Sequence, residues 1–272
     1  LSALSPSPST MQRTLKTIVT LLSTYYAYVL EYRAELFFWV LSGSLPFILM
    51  GIWMKASATG QFGLSPVEFA RYFLAAFIVR QFNVVWVIWD FEKEVVEGKL
   101  SPRLLQPIDP GFHHLAGHAS ERVARLPFIF GLVLLFFTLY PESLWFPTVE
   151  NTLCAMAIVP LVFLFRFLVQ YTFALLTFWI ERASAVEQLW LLPYFFLSGL
   201  VAPLEMFPDA VREVVMWTPF PYFVYFPASI LVGLPVNVGR GLVVILAWMA
   251  IFWVLNRWLW RQGLKQYSGM GA

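Results

Sequence analysis

The chain has 272 residues, 60% of them hydrophobic, 18% aromatic and only 12% charged, with a formal net charge of +2 and a mean hydropathy of +0.71. That balance exceeds what a soluble core of this size can use, and so small a net charge excludes an electrostatic case for nucleic-acid binding; the chain reads as a polytopic membrane protein. Its apolar stretches are far longer than the roughly ten-residue strands of an outer-membrane barrel, and backbone in lipid must be satisfied within each segment, so the predicted class is all-α with six membrane spans.

Residues 1–10 (LSALSPSPST) are polar and Pro-rich and are expected to form a disordered tail without a cleavable signal peptide, leaving residues 11–272 as a single transmembrane domain. Residues 11–33 mix Arg13 and Lys16 with aliphatic side chains and a tyrosine cluster, the pattern of an amphipathic helix lying in the membrane interface. The first span covers about residues 34–54, with Gly43 and Pro46 as possible kinks, and the second about 69–89, with Arg80, Gln81 and Asn83 in its middle. A charged, Pro-punctuated break then runs WDFEKEVVEGKLSPRLLQPIDPGFHH. Leu100, Leu104, Leu105 and Ile108 lie among its charges, which points to a docking surface at a compact knob.

Residues 113–125 read as a polar helical elbow before a short third span at about 126–140, and the fourth span, about 152–180, carries Arg166 and Gln170. After the break ERASAVE comes a fifth span at about 188–200. The segment from Ser198 to Pro235 holds six prolines and is apolar without being a continuous helix, so it is expected to form a re-entrant helix pair covered by protein. The sixth span is expected at about 238–259. One side of this layout collects twelve basic residues (Arg13, Lys16, Arg33, Lys93, Lys99, Arg103, Arg122, Arg125, Arg182, Arg257, Arg261 and Lys265) and the other only four (Lys55, Arg71, Arg212 and Arg240). Positive charge stays in the cytoplasm, which puts both termini and residues 91–125 there and residues 55–66, 141–151 and 205–237 outside.

Arg80 and Arg166 are costly at span centres, so they either line a path that attracts an anionic group, with Gln81 and Asn83 beside it, or bond internally to Gln81, Asn83, Gln170 or backbone carbonyls. Gln170, one turn from Arg166, favours the internal reading there. His114 and His118 share a helix face, and with His113 and Glu121 they could hold a metal or act as interfacial polar groups. Cys154, the one cysteine, excludes an intrachain disulfide within this sequence.

Within the break, the run EGKLSPRLLQPI, with Glu97, Gly98, Lys99, Leu100, Leu104, Leu105, Pro107 and Ile108, resembles the transmembrane subunits of ABC-2 type exporters. The downstream run SGLVAPLEMFPDAVREVVMWTPFPYFVYFPASILVG is similar to that family's extracellular re-entrant segment, with Gly199, Pro203, Phe207, Pro208 and Pro219 on pattern. The tail GLKQYSGMGA also fits one subgroup of bacterial permeases. The resemblance implies a permease subunit in a bacterial inner membrane, in contact with membrane lipids and paired with a second, identical or related permease. It further implies a coupling helix between spans 2 and 3, involving Glu94, Glu97, Gly98, Leu100, Leu104 and Leu105, seated on a separate ATPase subunit that binds ATP and magnesium. This sequence has no GxxxxGK[ST] phosphate loop, in keeping with an ATPase on another chain. Export of an amphipathic, lipid-linked, polysaccharide or drug-like molecule by alternating access is the implied activity, with no catalytic residue, cofactor or metal in this chain. The alternatives are an intramembrane metal-dependent enzyme built on His113, His114 and His118, or a non-transporting membrane scaffold.

Overall fold

A computed structural model describes residues 10–58 and 63–267, and every regular element among them is helical, with no strand. Of the tail expected at residues 1–10, residues 1–9 lie outside the described residues and Thr10 begins the first helix; the last five residues of the chain also lie outside. In chain order the helices are α1 (Thr10–Glu31), α2 (Arg33–Ser42), α3 (Leu45–Ser57), α4 (Pro66–Asn83), α5 (Val87–Val96), α6 (Leu100–Leu104), α7 (Pro110–Leu139), α8 (Val149–Ala174), α9 (Ser184–Leu197), α10 (Asp209–Val215), α11 (Tyr225–Val232) and α12 (Val238–Gln266).

Among the described residues, five helical stretches are long and apolar enough to cross a membrane: Arg33–Ser57, Pro66–Val96, Pro110–Leu139, Val149–Phe178 and Val238–Gln266. The fifth predicted span falls on α9, whose 14 residues cover roughly 21 Å, short of a hydrocarbon core of about 30 Å. The third is longer than its sequence suggests, because the elbow and the span are one 30-residue helix, α7. Its polar half stays helical because Glu121, Arg122 and Arg125 satisfy one another, and Pro127 is accommodated within it.

The second stretch is broken. After Asn83 the backbone leaves the helix at residues 84–86 and resumes as α5, with no proline or glycine to cause it. Tertiary bonds hold the break: the Arg122 Nε donates to the Phe82 carbonyl at 3.1 Å, and Asn83 Nδ2 donates to the Phe223 carbonyl at 2.9 Å.

Helix α4 forms the centre of the bundle. Its start is fixed by a capping box in which Ser65 and Glu68 exchange side-chain and backbone bonds, and residues Phe69 to Phe77, apart from Arg71, are buried against α3, α7, α8 and α11. Along α7 runs α1, held by Ser120 Oγ to the Leu22 carbonyl at 3.0 Å and by Tyr25 against His113, while α12 runs along α8.

Contacts define two ends. At one, α5, α6, the start of α7, the α8–α9 turn and the end of α12 share a second apolar core around Phe91, Val95, Leu100, Tyr171, Leu175 and Leu259. At the other, Arg71 donates to the carbonyls of Ser143 and Leu144, and Arg240 forks onto Glu213. Of the twelve basic residues assigned to one side, Arg122 and Arg125 are therefore buried helix residues and not loop residues.

Candidate functional site

The knob is built from the end of α5 outward. Gly98 adopts φ 72°, a left-handed turn that costs a glycine nothing, and this reverses the chain from α5 into α6. Lys99 folds back on Glu97, and its hydrogen bond holds the Glu97 carboxyl below the usual carboxylate range.

Leu100, expected at the docking surface, is instead fully buried in the second core, because the turn at Gly98 points it back toward Phe91 and Val95. Glu94 also faces inward, pairing with Arg103 at 2.8 Å and with His114 at 3.2 Å. Leu104 is partly buried beside Leu100, whereas Leu105 is 88% exposed. The outer face of the knob is thus Val96, Glu97, Leu105, Pro107 and Phe112, while Glu94, Leu100 and Leu104 fasten it to the bundle.

The fastening reaches three elements. The Glu92 carboxylate accepts from the Ser184 backbone N–H at 2.7 Å, tying α5 to the first residue of α9. Glu94 ties α5 to α7 through His114, and Ser101 meets the Tyr267 hydroxyl at 3.0 Å after α12. Asp109 caps α7 by accepting from the Gly111 N–H at 2.8 Å and pairs with Arg257 of α12 at 3.1 Å. The knob is therefore bonded to α7, α9 and the C-terminal part of the chain around α12.

Of the four side chains considered for a path, three bond within the chain. Gln81 Nε2 donates to the Val40 carbonyl at 3.3 Å, and Asn83 bridges to Phe223. Arg166 pairs with Glu187 of α9, between the rings of Tyr194 and Phe223, whose centroids lie 4.9 and 5.3 Å from its guanidinium carbon. Gln170 does not bond to Arg166; its amide donates to the same Glu187 oxygen at 2.8 Å. Only packing of α9 on α8 reveals Glu187 as the partner, since in the sequence it sits in a charged break. Arg80, half-buried, has no side-chain hydrogen bond or ion pair among the described residues.

The histidines do not converge. His113 meets Tyr25, His114 meets Glu94, and His118 faces Glu121 and Asp90. Among the described residues no three His, Cys, Asp or Glu side chains come together as a metal site.

The proline-rich segment folds as two short helices. Gly199 adopts φ 83° where the Tyr72 hydroxyl donates to its carbonyl at 2.7 Å, Pro203 opens a short turn that ends at Phe207, and Pro208 starts α10. After Pro219 the chain carries Phe223 in against Phe165, ring centroids 4.9 Å apart, before α11 leads back to α12.

The family model for "ABC-2 family transporter protein" matches residues 47–271, which include the broken second stretch, the knob, the proline-rich segment and α12. No curated protein matches the chain. With five crossing-length helices among the described residues and a match over most of its length, the chain belongs to the ABC-2 transporter permease family, as a multi-pass membrane subunit of an ABC transporter.

Proposed function

We propose that this permease exports an amphipathic, lipid-linked, polysaccharide or drug-like molecule from a bacterial cytoplasm or inner leaflet, driven by a separate ATPase subunit that docks on the knob. In this reading ATP and magnesium are held by that subunit, and a second permease, identical or related, completes the membrane part. The carrying observation is the fastening of the knob, with Glu92 on α9, Glu94 on α7 and Asp109 on α12, beneath an exposed face of Val96, Leu105 and Phe112. Closure of the ATPase pair would push the knob and tilt those helices together, turning a cavity between two permeases from inward to outward.

The basic bias supports a cytoplasmic knob and cytoplasmic termini. That orientation requires a sixth crossing, which we assign to α9 continued by residues 198–208. Their anchors support it: Ser184 bonds to Glu92 at the knob end, while Trp53 Nε1 donates to the Val201 carbonyl at 2.8 Å toward the opposite end.

The test is co-purification of the ATPase subunit with Leu105→Asp. Burying that charge in an apolar contact should cost about 2 kcal/mol or more, roughly a thirtyfold loss of affinity. The exposed position leaves the permease folded. Unchanged binding by this variant would remove the knob from the docking surface.

A further inference from the structure

Arg80 differs from the other buried or half-buried arginines of the crossing helices. Arg71 donates to carbonyls of Ser143 and Leu144, Arg122 and Arg125 share Glu121, Arg166 meets Glu187, Arg240 meets Glu213 and Arg257 meets Asp109. The Arg80 guanidinium has no such partner among the described residues, although a charge at this depth ordinarily pairs or faces a polar path. Its polar neighbours are committed elsewhere, Gln81 to the Val40 carbonyl and Asn83 to that of Phe223.

The surroundings fit an anionic headgroup. Gly43, between α2 and α3, leaves room for the guanidinium: a methyl group there would lie 3.1 Å from Arg80 Nη1 and 2.5 Å from Gln81 Nε2. One turn earlier, Trp39 donates its indole N–H to Glu35 at 3.1 Å and sets its ring 5.0 Å from Trp86, which is 5.5 Å from Trp89. Three partly exposed tryptophans beside the charged α5 mark a membrane interface, and Arg80 lies in the last turn of α4, just before the break that leads to Trp86.

We propose that Arg80 binds the phosphate of an anionic amphiphile that reaches it from the side of Trp39, Trp86 and Trp89, where α2 meets the end of α4. A planar guanidinium takes two phosphate oxygens at once, and the indoles meet the molecule at headgroup level. This deepens the permease reading by naming a substrate class, and rests on it only in treating the bound molecule as cargo.

The test uses the full-length permease in phosphatidylcholine nanodiscs with trace spin-labelled phosphatidylglycerol or spin-labelled phosphatidylcholine, and reads the immobilised fraction of each. At about 0.5 M salt, where exposed basic residues are screened, the wild type should hold phosphatidylglycerol threefold or more over phosphatidylcholine. Arg80→Gln should bring that ratio to about one, Arg80→Lys should keep part of it, and Gly43→Ala should lower it by crowding the guanidinium. A ratio near one in the wild type, or one unchanged in Arg80→Gln, overturns the proposal. Complete displacement by millimolar inorganic phosphate would assign the site to a soluble anion and overturn the lipid source. Loss of a permease dimer in Arg80→Gln with the lipid ratio intact would assign Arg80 to a carboxylate of a second copy, which also overturns it. No ATP or ATPase subunit is present, so the result is independent of whether the knob couples.

Discussion

Glu187→Gln should be among the most damaging single substitutions in this protein. The carboxylate is 3% exposed and takes hydrogen bonds from both Arg166 and Gln170. Removing its charge leaves Arg166, itself 6% exposed, as an unmatched cation between two aromatic rings. Breaking one side of a buried ion pair costs about 3–5 kcal/mol, and an unpaired arginine at a span centre costs about 2.5–3.5 kcal/mol on insertion scales, so both routes give roughly 3 kcal/mol. At about 2–4 °C per kcal/mol for a chain of this size, the melting temperature should fall by about 6–12 °C. Thermal unfolding in detergent, followed by size-exclusion fluorescence, reads this directly. The paired replacement Arg166→Met with Glu187→Leu should recover part of the loss, because it removes both charges and keeps volume but leaves the buried Gln170 amide without its acceptor. If Glu187→Gln melts with the wild type, the pair does not hold α9 to α8.

Glu213→Gln is the matched surface control: Arg240 holds the Glu213 carboxyl below its usual range, but the group is solvent-exposed, so the melting temperature should not move. Leu100→Asp should abolish folding where Leu105→Asp does not, read as recovery of monodisperse protein, because the first position is fully buried and the second is open. Gly199→Ala should lower stability sharply, since φ 83° strains any side chain there and a methyl would lie 2.5 Å from the Tyr72 hydroxyl; retention of the wild-type melting point would refute that packing. For orientation, a Cys154→Ser background with Glu142→Cys should react with impermeant maleimide from outside sealed cells and Gln106→Cys should not. Ser143, though in the same loop, is buried and would be a poor reporter, and the reverse labelling pattern would overturn a cytoplasmic knob.

What the sequence determined by itself was the class and the family. Hydrocarbon demands about 20 apolar residues per crossing and forbids open backbone, so long apolar runs divided by charged and Pro-rich breaks specify a helical membrane bundle. The run from Glu97 to Ile108 and the prolines from 203 to 235 pointed to the ABC-2 permeases through local chemistry that any reader of the chain can see. Only the tertiary structure decided which polar groups face one another. Glu187 meets Arg166 because α9 folds back on α8, Arg122 holds a helix break 40 residues away at Phe82, and Leu100 turns inward at Gly98. Each of these depends on the packing of separate helices, and periodicity within one helix carries no record of its neighbours. That Arg80 has no partner among the described residues has the same origin, since a charge in a span is visible in sequence but its partner, or the lack of one, exists only after the bundle has closed around it.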